Sequence, residues 1–328
     1  MDKQSQIRRY EAVKHLYQKF GRSMPWFFSP GDLQGLGIQV LYPDVLDDGA
    51  LQFDPCFFRP YPERVLQKYP LDIVQMAAEY PPKEIPPLSA RPDVTSMIQM
   101  EEETGIKNEA ARATYKSLMV LCGPDEWQDN ARCTHRHIEA HLKCYRIGLP
   151  EGYSLFSLGS IHRYRTKGTI GDPPTIVGGN PERVDWRIHN IFEDCNESLP
   201  NPHAIITLTS DVPANNAKHC LTLHEMQAIL GIMVTRTLHR PFCSHPLHPL
   251  LVLSYTGEKH GRIIQASLHG QHLVLQCSPL WSFADDKKAP VELFLRYMIS
   301  QLVEVARWEK PNPAIHSLVD PIGTMQLN

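Results

Sequence analysis

Residues 250–280 read LLVLSYTGEKHGRIIQASLHGQHLVLQCSPL. Three apolar, β-branched runs, LLVLSYTG, GRIIQASLHG and HLVLQCSPL, are broken by glycine-containing turns, and the last two are joined by a tight turn at 269–271. Runs of this length bounded by Gly and Pro predict strands. Upstream, Thr222 and Glu225 form a T-x-x-E capping box ahead of a helix on which Leu223, Met226, Leu230, Met233 and Thr237 share a face. Downstream, Pro290 sits at a position suited to the first helical turn, and VELFLRYMISQLVEVARW extends a helix to Pro311. With AIHSLV as a last strand, the order is α-β-β-β-α-β. An α+β fold follows, with a mixed sheet and flanking helices.

Moving toward the N-terminus, DEWQDNARCTHRHIEAHLKCYRIGLP places Trp127, Ala131, Thr134, Ile138, Leu142 and Tyr145 at helical spacing, closed by Gly148 and Pro150. NEAARATYKSLMVLCGP, capped by Asn108 and stopped at Gly123, predicts a helix before it, so the two form a helical hairpin. Between them and Thr222, YSLFSLGSI, PTIVGG and HAIITLTS predict short strands. Residues 4–20 predict an amphipathic helix ending at Gly21. From Met24 to Pro92 prolines and aromatics crowd together, so this part is expected to be irregular, with one helix near 63–79. Its aromatics, Trp26, Phe27, Phe28, Phe53, Phe57, Phe58 and Tyr61, need a surface to pack on. The expected organisation is therefore an N-terminal helix and arm over 1–107, packed on an α+β core over 108–328.

Composition narrows the function classes. The 328 residues carry 33 Lys and Arg against 36 Asp and Glu, a formal charge of -3, which is not the overall basic footprint of a nucleic-acid binder. No run reaches the 18 apolar residues of a membrane span. The first twenty residues are charged and periodic, unlike a secretory signal. Eight cysteines without a CxxC spacing read as reduced thiols, and the expected compartment is cytoplasmic or nuclear.

Several constellations could carry chemistry. The α-β-β-β-α-β order is shared with PD-(D/E)XK nuclease-like folds, whose second and third strands hold Mg²⁺ through carboxylates. Here 261–270 contains no carboxylate and 272–280 offers only Gln276 and Cys277, so an inactive, binding version is expected. In CTHRHIEAHLKC, His137 and His141 stand one helical turn apart, a spacing that lets two imidazoles share zinc. Cys133 and Cys144 are about 16 Å apart along a helix and cannot both join them. Further ligands would come from Cys243, His245 and His248 in RPFCSHPLHP; the alternative is helix-flank histidines and buried thiols. In SIHRYRTKGT, the cations His162, Arg163, Arg165 and Lys167 flank Tyr164 and could bind an anion, or simply form a solvated hairpin tip. Glu225 beside His224 resembles an acid/base pair, but the capping box already accounts for it. The G-x-S-x-G, phosphate-loop, H-E-x-x-H and Rossmann fingerprints do not occur.

The segment 245–283, HPLHPLLVLSYTGEKHGRIIQASLHGQHLVLQCSPLWSF, resembles a C-terminal segment of uncharacterised intracellular proteins of filamentous fungi. That resemblance implies a lineage-restricted protein and brings no catalytic residues. Three readings stay open. The first is a non-enzymatic binding or accessory protein with a protein or small-molecule partner and no membrane association. The second is a His/Cys metal enzyme, in fungal specialised metabolism. The third is a nucleic-acid binder on a degenerate nuclease-like core.

Overall fold

The computed structural model describes residues 3–20, 24–72, 131–143, 146–159, 163–165, 186–193, 201–214, 220–238, 242–243, 245–257, 259–269, 271–285 and 288–303. Its helices are α1 (Lys3–Lys19), α2 (Pro30–Gly35), α3 (Glu63–Lys68), α4 (Ala131–Lys143), α5 (Leu223–Leu238) and α6 (Val291–Met298). The strands are β1 (Phe27–Phe28), β2 (Ile38–Leu41), β3 (Phe58–Arg59), β4 (Arg163–Arg165), β5 (Trp186–Glu193) and β6 (Ala204–Ser210). They continue with β7 (Leu221–Thr222), β8 (Leu250–Thr256), β9 (His260–His269), β10 (His272–Cys277), β11 (Trp281–Ser282) and β12 (Gln301–Leu302).

The three runs of 250–280 form the centre of one mixed sheet in the order β2-β10-β9-β8-β6-β5-β4, with β11 added against β9. β8, β9 and β10 make an antiparallel meander. β6 and β8 are parallel, and α5 crosses between them. Every residue of β8 is buried, and side-chain alternation divides them between two cores. Leu250 and Val252 join Ile206, Leu208, Ile264, Ala266 and Leu275 beneath α1 and α5, where Val13, Leu16, Met226, Ile229 and Met233 pack. Leu251, Leu253 and Tyr255 join Ile205 and Ile263 on the other face, beneath Ile138 and Leu142 of α4 and Phe294 and Tyr297 of α6. The fold is thus α+β, with helices covering both faces.

The capping box forms as its spacing demands. Thr222 N donates to Glu225 Oε2 at 2.8 Å, and Glu225 N donates to Thr222 Oγ1 at 3.1 Å. Glu225 also reaches Arg262 Nε on β9 at 2.9 Å, so the cap ties α5 to the sheet through a buried ion pair.

The described part of the N-terminal arm belongs to both cores. β2 pairs in parallel with β10 at the sheet edge, β1 pairs with β7, and β3 pairs with β12. Leu51, Phe53, Phe57 and Phe58 are buried beside α6. The proline-rich composition concealed β2, which lies in the proline-free stretch between Gly37 and Pro43, where every residue can donate its N–H.

Three expected elements differ. The helix expected near 63–79 ends at Lys68, where Tyr69 leaves helical geometry ahead of Pro70. YSLFSLGSI is a 3₁₀ turn at Leu155–Leu158, where Ser157 Oγ accepts from Ser154 N at 3.4 Å, and not a strand. The helix after Pro290 ends at Met298, because Ser300 turns back onto Tyr297 O and Gln301 enters β12. The helix at 108–122, and with it the helical hairpin, the strand at 174–179 and the last strand at 314–319 lie outside the described residues.

Candidate functional site

Helix α4 lies across β6, β8 and β9, and its inner side is not wholly apolar. Ala131, Ile138 and Leu142 sink into the core, and His135 goes with them at 2% exposure. His135 Nε2 is 3.0 Å from Thr207 Oγ1 on β6 and 3.2 Å from Asn190 Nδ2 on β5. An amide NH₂ group only donates, so Asn190, oriented this way, makes Nε2 the acceptor and leaves the imidazole proton on Nδ1.

A second imidazole arrives through a backbone irregularity. β5 and β6 pair Ile188 with Leu208 and then Asn190 with Thr207, so His189 is an extra residue in the ladder. Such a bulge re-aims a side chain, and here it brings His189 to the same side as Asn190. The His189 ring stacks on His135 with centroids 4.3 Å apart and planes 21° apart, and its Nε2 is 2.8 Å from Thr209 Oγ1. Tyr255 of β8 meets the His135 ring edge-on at 5.5 Å and packs against Phe294 at 5.5 Å.

Each imidazole is therefore held at Nε2 by polar neighbours on the sheet. Among the described residues, His135 Nδ1 and the Tyr255 hydroxyl are buried without a hydrogen-bond partner. Burial pulls the pKa of His135 down to about 4, against an opposing pull from Glu139, and pulls His189 down to about 3. Burial raises the Tyr255 phenol. At neutral pH both imidazoles are uncharged, and they lie beside an aromatic cluster with His189 half-buried.

The residues singled out from sequence fall elsewhere. His137 and His141 do meet, with ring centroids 4.6 Å apart. His141 is held down to about 4 by burial, then by His137 and Arg146. Among the described residues, no three His, Cys, Asp or Glu side chains come together as a metal ion would need. The loop that carries Cys243, His245 and His248 has its own internal use: His248 Nε2 donates to Phe242 O at 3.0 Å, and Arg9 from α1 donates to His245 O. Buried Arg236 stands nearby, paired with Glu193, donating to Pro202 O at 2.8 Å, and 3.9 Å from the Phe242 ring. Its charge helps depress His248 and His203, after burial itself, and a fixed guanidinium beside these imidazoles opposes a second cation. Arg163 and Arg165 lie on strand β4, paired with β5, while His162 and Lys167 lie outside the described residues. Glu225 and His224 point to different partners: His224 Nδ1 is 2.7 Å from Ser210 Oγ, and its ring stacks on Trp186.

The two glutamines of the central strands have a clear role. Gln265 and Gln276 are direct cross-strand neighbours on β9 and β10. Gln265 Oε1 accepts from Phe57 N at 2.9 Å, and Gln276 Oε1 accepts from Asp54 N at 2.7 Å. Both amides donate to Pro55 O, at 2.8 and 3.3 Å. Sequence reasoning missed this clamp, although a Gln inside each of two apolar strands signals a buried amide that must find partners.

Comparison with protein-family models, characterised proteins and solved structures returns no match for the chain.

Proposed function

We propose that the chain is a non-enzymatic binding or accessory protein, acting inside the cell in the cytoplasm or nucleus, with a small molecule or a protein as its partner. The observation that carries this reading is the clamp formed by Gln265 and Gln276. On strands placed like these, a metal-dependent nuclease presents carboxylates to Mg²⁺ and keeps them open to substrate. This chain presents two neutral amides and spends their hydrogen bonds on its own residues 54–57, closing that face of the sheet with the arm. Free thiols at Cys56, Cys220 and Cys277 support a reducing compartment. No described helix is long and apolar enough to cross a membrane.

The test is incubation of the purified full chain with single- and double-stranded DNA and RNA in Mg²⁺ or Mn²⁺. No cleavage is expected. Cleavage that persists through repurification and is abolished by Asp285→Ala would replace this reading with a nuclease.

A further inference from the structure

We infer that the outer edge of β2 and the loop that follows it, residues 38–46, form a docking surface for an extended, basic segment of a partner protein. The inference rests on the binding reading above and names the partner's chemistry.

Among the described residues β2 pairs with β10 alone, so its other edge has no strand beside it. Sheet edges are commonly guarded by lysine, proline or a bulge. Ile38–Leu41, with the sequence IQVL and an unbroken register, carries none of these. An edge of that kind accepts an added strand, whose main chain supplies hydrogen bonds and whose alternate side chains supply specificity.

Apolar anchors for such a strand lie immediately C-terminal. Tyr42 is 60% exposed, Val45 46% and Leu46 47%, so three of the seven exposed large hydrophobic side chains among the described residues fall within five positions. Exposed apolar residues scattered singly need no explanation, whereas a cluster marks an interaction site. The loop is also held in place. Val45 bridges Leu51, Leu46 N donates to Ala50 O and Gly49 N to Leu46 O, both at 2.8 Å, and Gln52 N donates to Asp44 O at 2.9 Å. Gly49 supplies the φ of 77° that closes the turn. Behind it, Leu51 N donates to the Tyr297 hydroxyl and Arg296 pairs with Asp48, which fixes the loop to α6. A support ordered in advance lowers the entropic cost of binding.

Charge selects the partner. Between Arg22 and Arg59 the sequence has five aspartates, Asp32, Asp44, Asp47, Asp48 and Asp54, and no Lys, Arg or His, although the whole chain carries only -3. Asp32 is engaged in the cap of α2 and Asp48 by Arg296, and the exposed Asp44 and Asp47 flank the apolar residues. A second copy of this chain would bring the same acidic segment against itself, which like charges oppose. Lysines or arginines alternating with apolar side chains complement it.

The experiment titrates the full chain into fluorescein-labelled peptides of about six residues, a usual strand length, in which Lys or Arg alternates with Val, Ile, Leu or Phe. Counterparts carry Glu at each cationic position. Saturable anisotropy is expected with members of the basic set, about tenfold or more tighter than with their acidic counterparts and weakening as salt is raised. Val45→Ser combined with Leu46→Ser should reduce that affinity about tenfold and keep the wild-type Tm, because both side chains are exposed. Asp44→Asn combined with Asp47→Asn should reduce it and flatten the salt dependence. No saturable binding by the basic set, equal binding of the acidic set, or variants that bind like the wild type overturn the inference. Sedimentation that shows a dimer dissolved by the Val45→Ser, Leu46→Ser variant also overturns it, because a second copy then occupies the edge. None of these results decides the nuclease assay, so the broader binding reading stands or falls separately.

Discussion

Replacing Tyr255 by phenylalanine should make this protein more stable. The hydroxyl is fully buried and has no hydrogen-bond partner among the described residues, so folding strips it of water and returns nothing. An unsatisfied buried hydroxyl costs about 1–3 kcal/mol. Tyr255→Phe removes that cost and keeps the ring contacts with His135, Phe283 and Phe294. The lost oxygen leaves a void of roughly 10 Å³, worth about 0.2 kcal/mol at about 24 cal/mol per Å³. The net expectation is a gain of about 1–2.5 kcal/mol, or a rise of roughly 2–4 °C in Tm per kcal/mol at this size. Tyr297 provides the control. Its hydroxyl accepts from Leu51 N at 2.8 Å, so Tyr297→Phe orphans a buried amide and should cost about 1–3 kcal/mol. Urea unfolding of the three proteins, compared at equal denaturant slopes, measures both. A loss of 1 kcal/mol or more for Tyr255→Phe would mean that the hydroxyl has a partner in the native protein.

The remaining predictions concern other parts of the fold. Stability should be full above pH 6.5 and decline as pH falls toward 4, because His135 is held at about 4 in the folded chain and titrates near 6.5 unfolded, so the unfolded state takes up the proton first. His135 contributes at most about 3 kcal/mol of that decline, read as the pH dependence of the urea midpoint, and a midpoint unchanged from pH 7 to pH 4.5 would contradict it. Gln276→Ala should leave Asp54 N unpaired and lower stability by about 1–3 kcal/mol, and limited proteolysis should then cut faster within 53–58; an unchanged cleavage rate would remove the clamp from the account. Glu225→Ala leaves Arg262 buried without its carboxylate and removes the helix cap, so a loss of about 3–5 kcal/mol is expected, and a loss below 1 kcal/mol would show that the pair is inessential.

What the sequence disclosed was what local pattern encodes. β8, β9 and β10 were readable because their apolar runs are uninterrupted, and the start of α5 because Thr222 and Glu225 lie at capping distance. The end of α6 was not, since ISQLV suits helix and strand equally, and its pairing with Phe58–Arg59 comes from more than 240 residues upstream. β5 was missed because its Trp186, Arg187, His189 and Asn190 break a period of two where the bulge inserts a residue. The candidate site was less legible than the fold. His135 stands inside the histidine cluster that drew attention to α4, but nothing in CTHRHIEAHLKC separates a core-facing imidazole from the exposed His137 two residues on. Its partners Asn190, Thr207 and Tyr255 lie 55 to 120 residues away and meet it only through sheet register. A metal reading was the natural inference from the cluster, and the buried guanidinium of Arg236 beside the second histidine loop works against it.

The claim at the centre of this account is that His135 is neutral, held at Nε2, and presents an unpaired N–H from Nδ1. A long-range ¹H–¹⁵N spectrum of the imidazole nitrogens at pH 7, with His135→Phe to assign the signals, reads that state directly. The account predicts a single protonated nitrogen for His135, at Nδ1, with Nε2 in the range of an unprotonated acceptor. Protonation at Nε2 alone, or at both nitrogens, would contradict it.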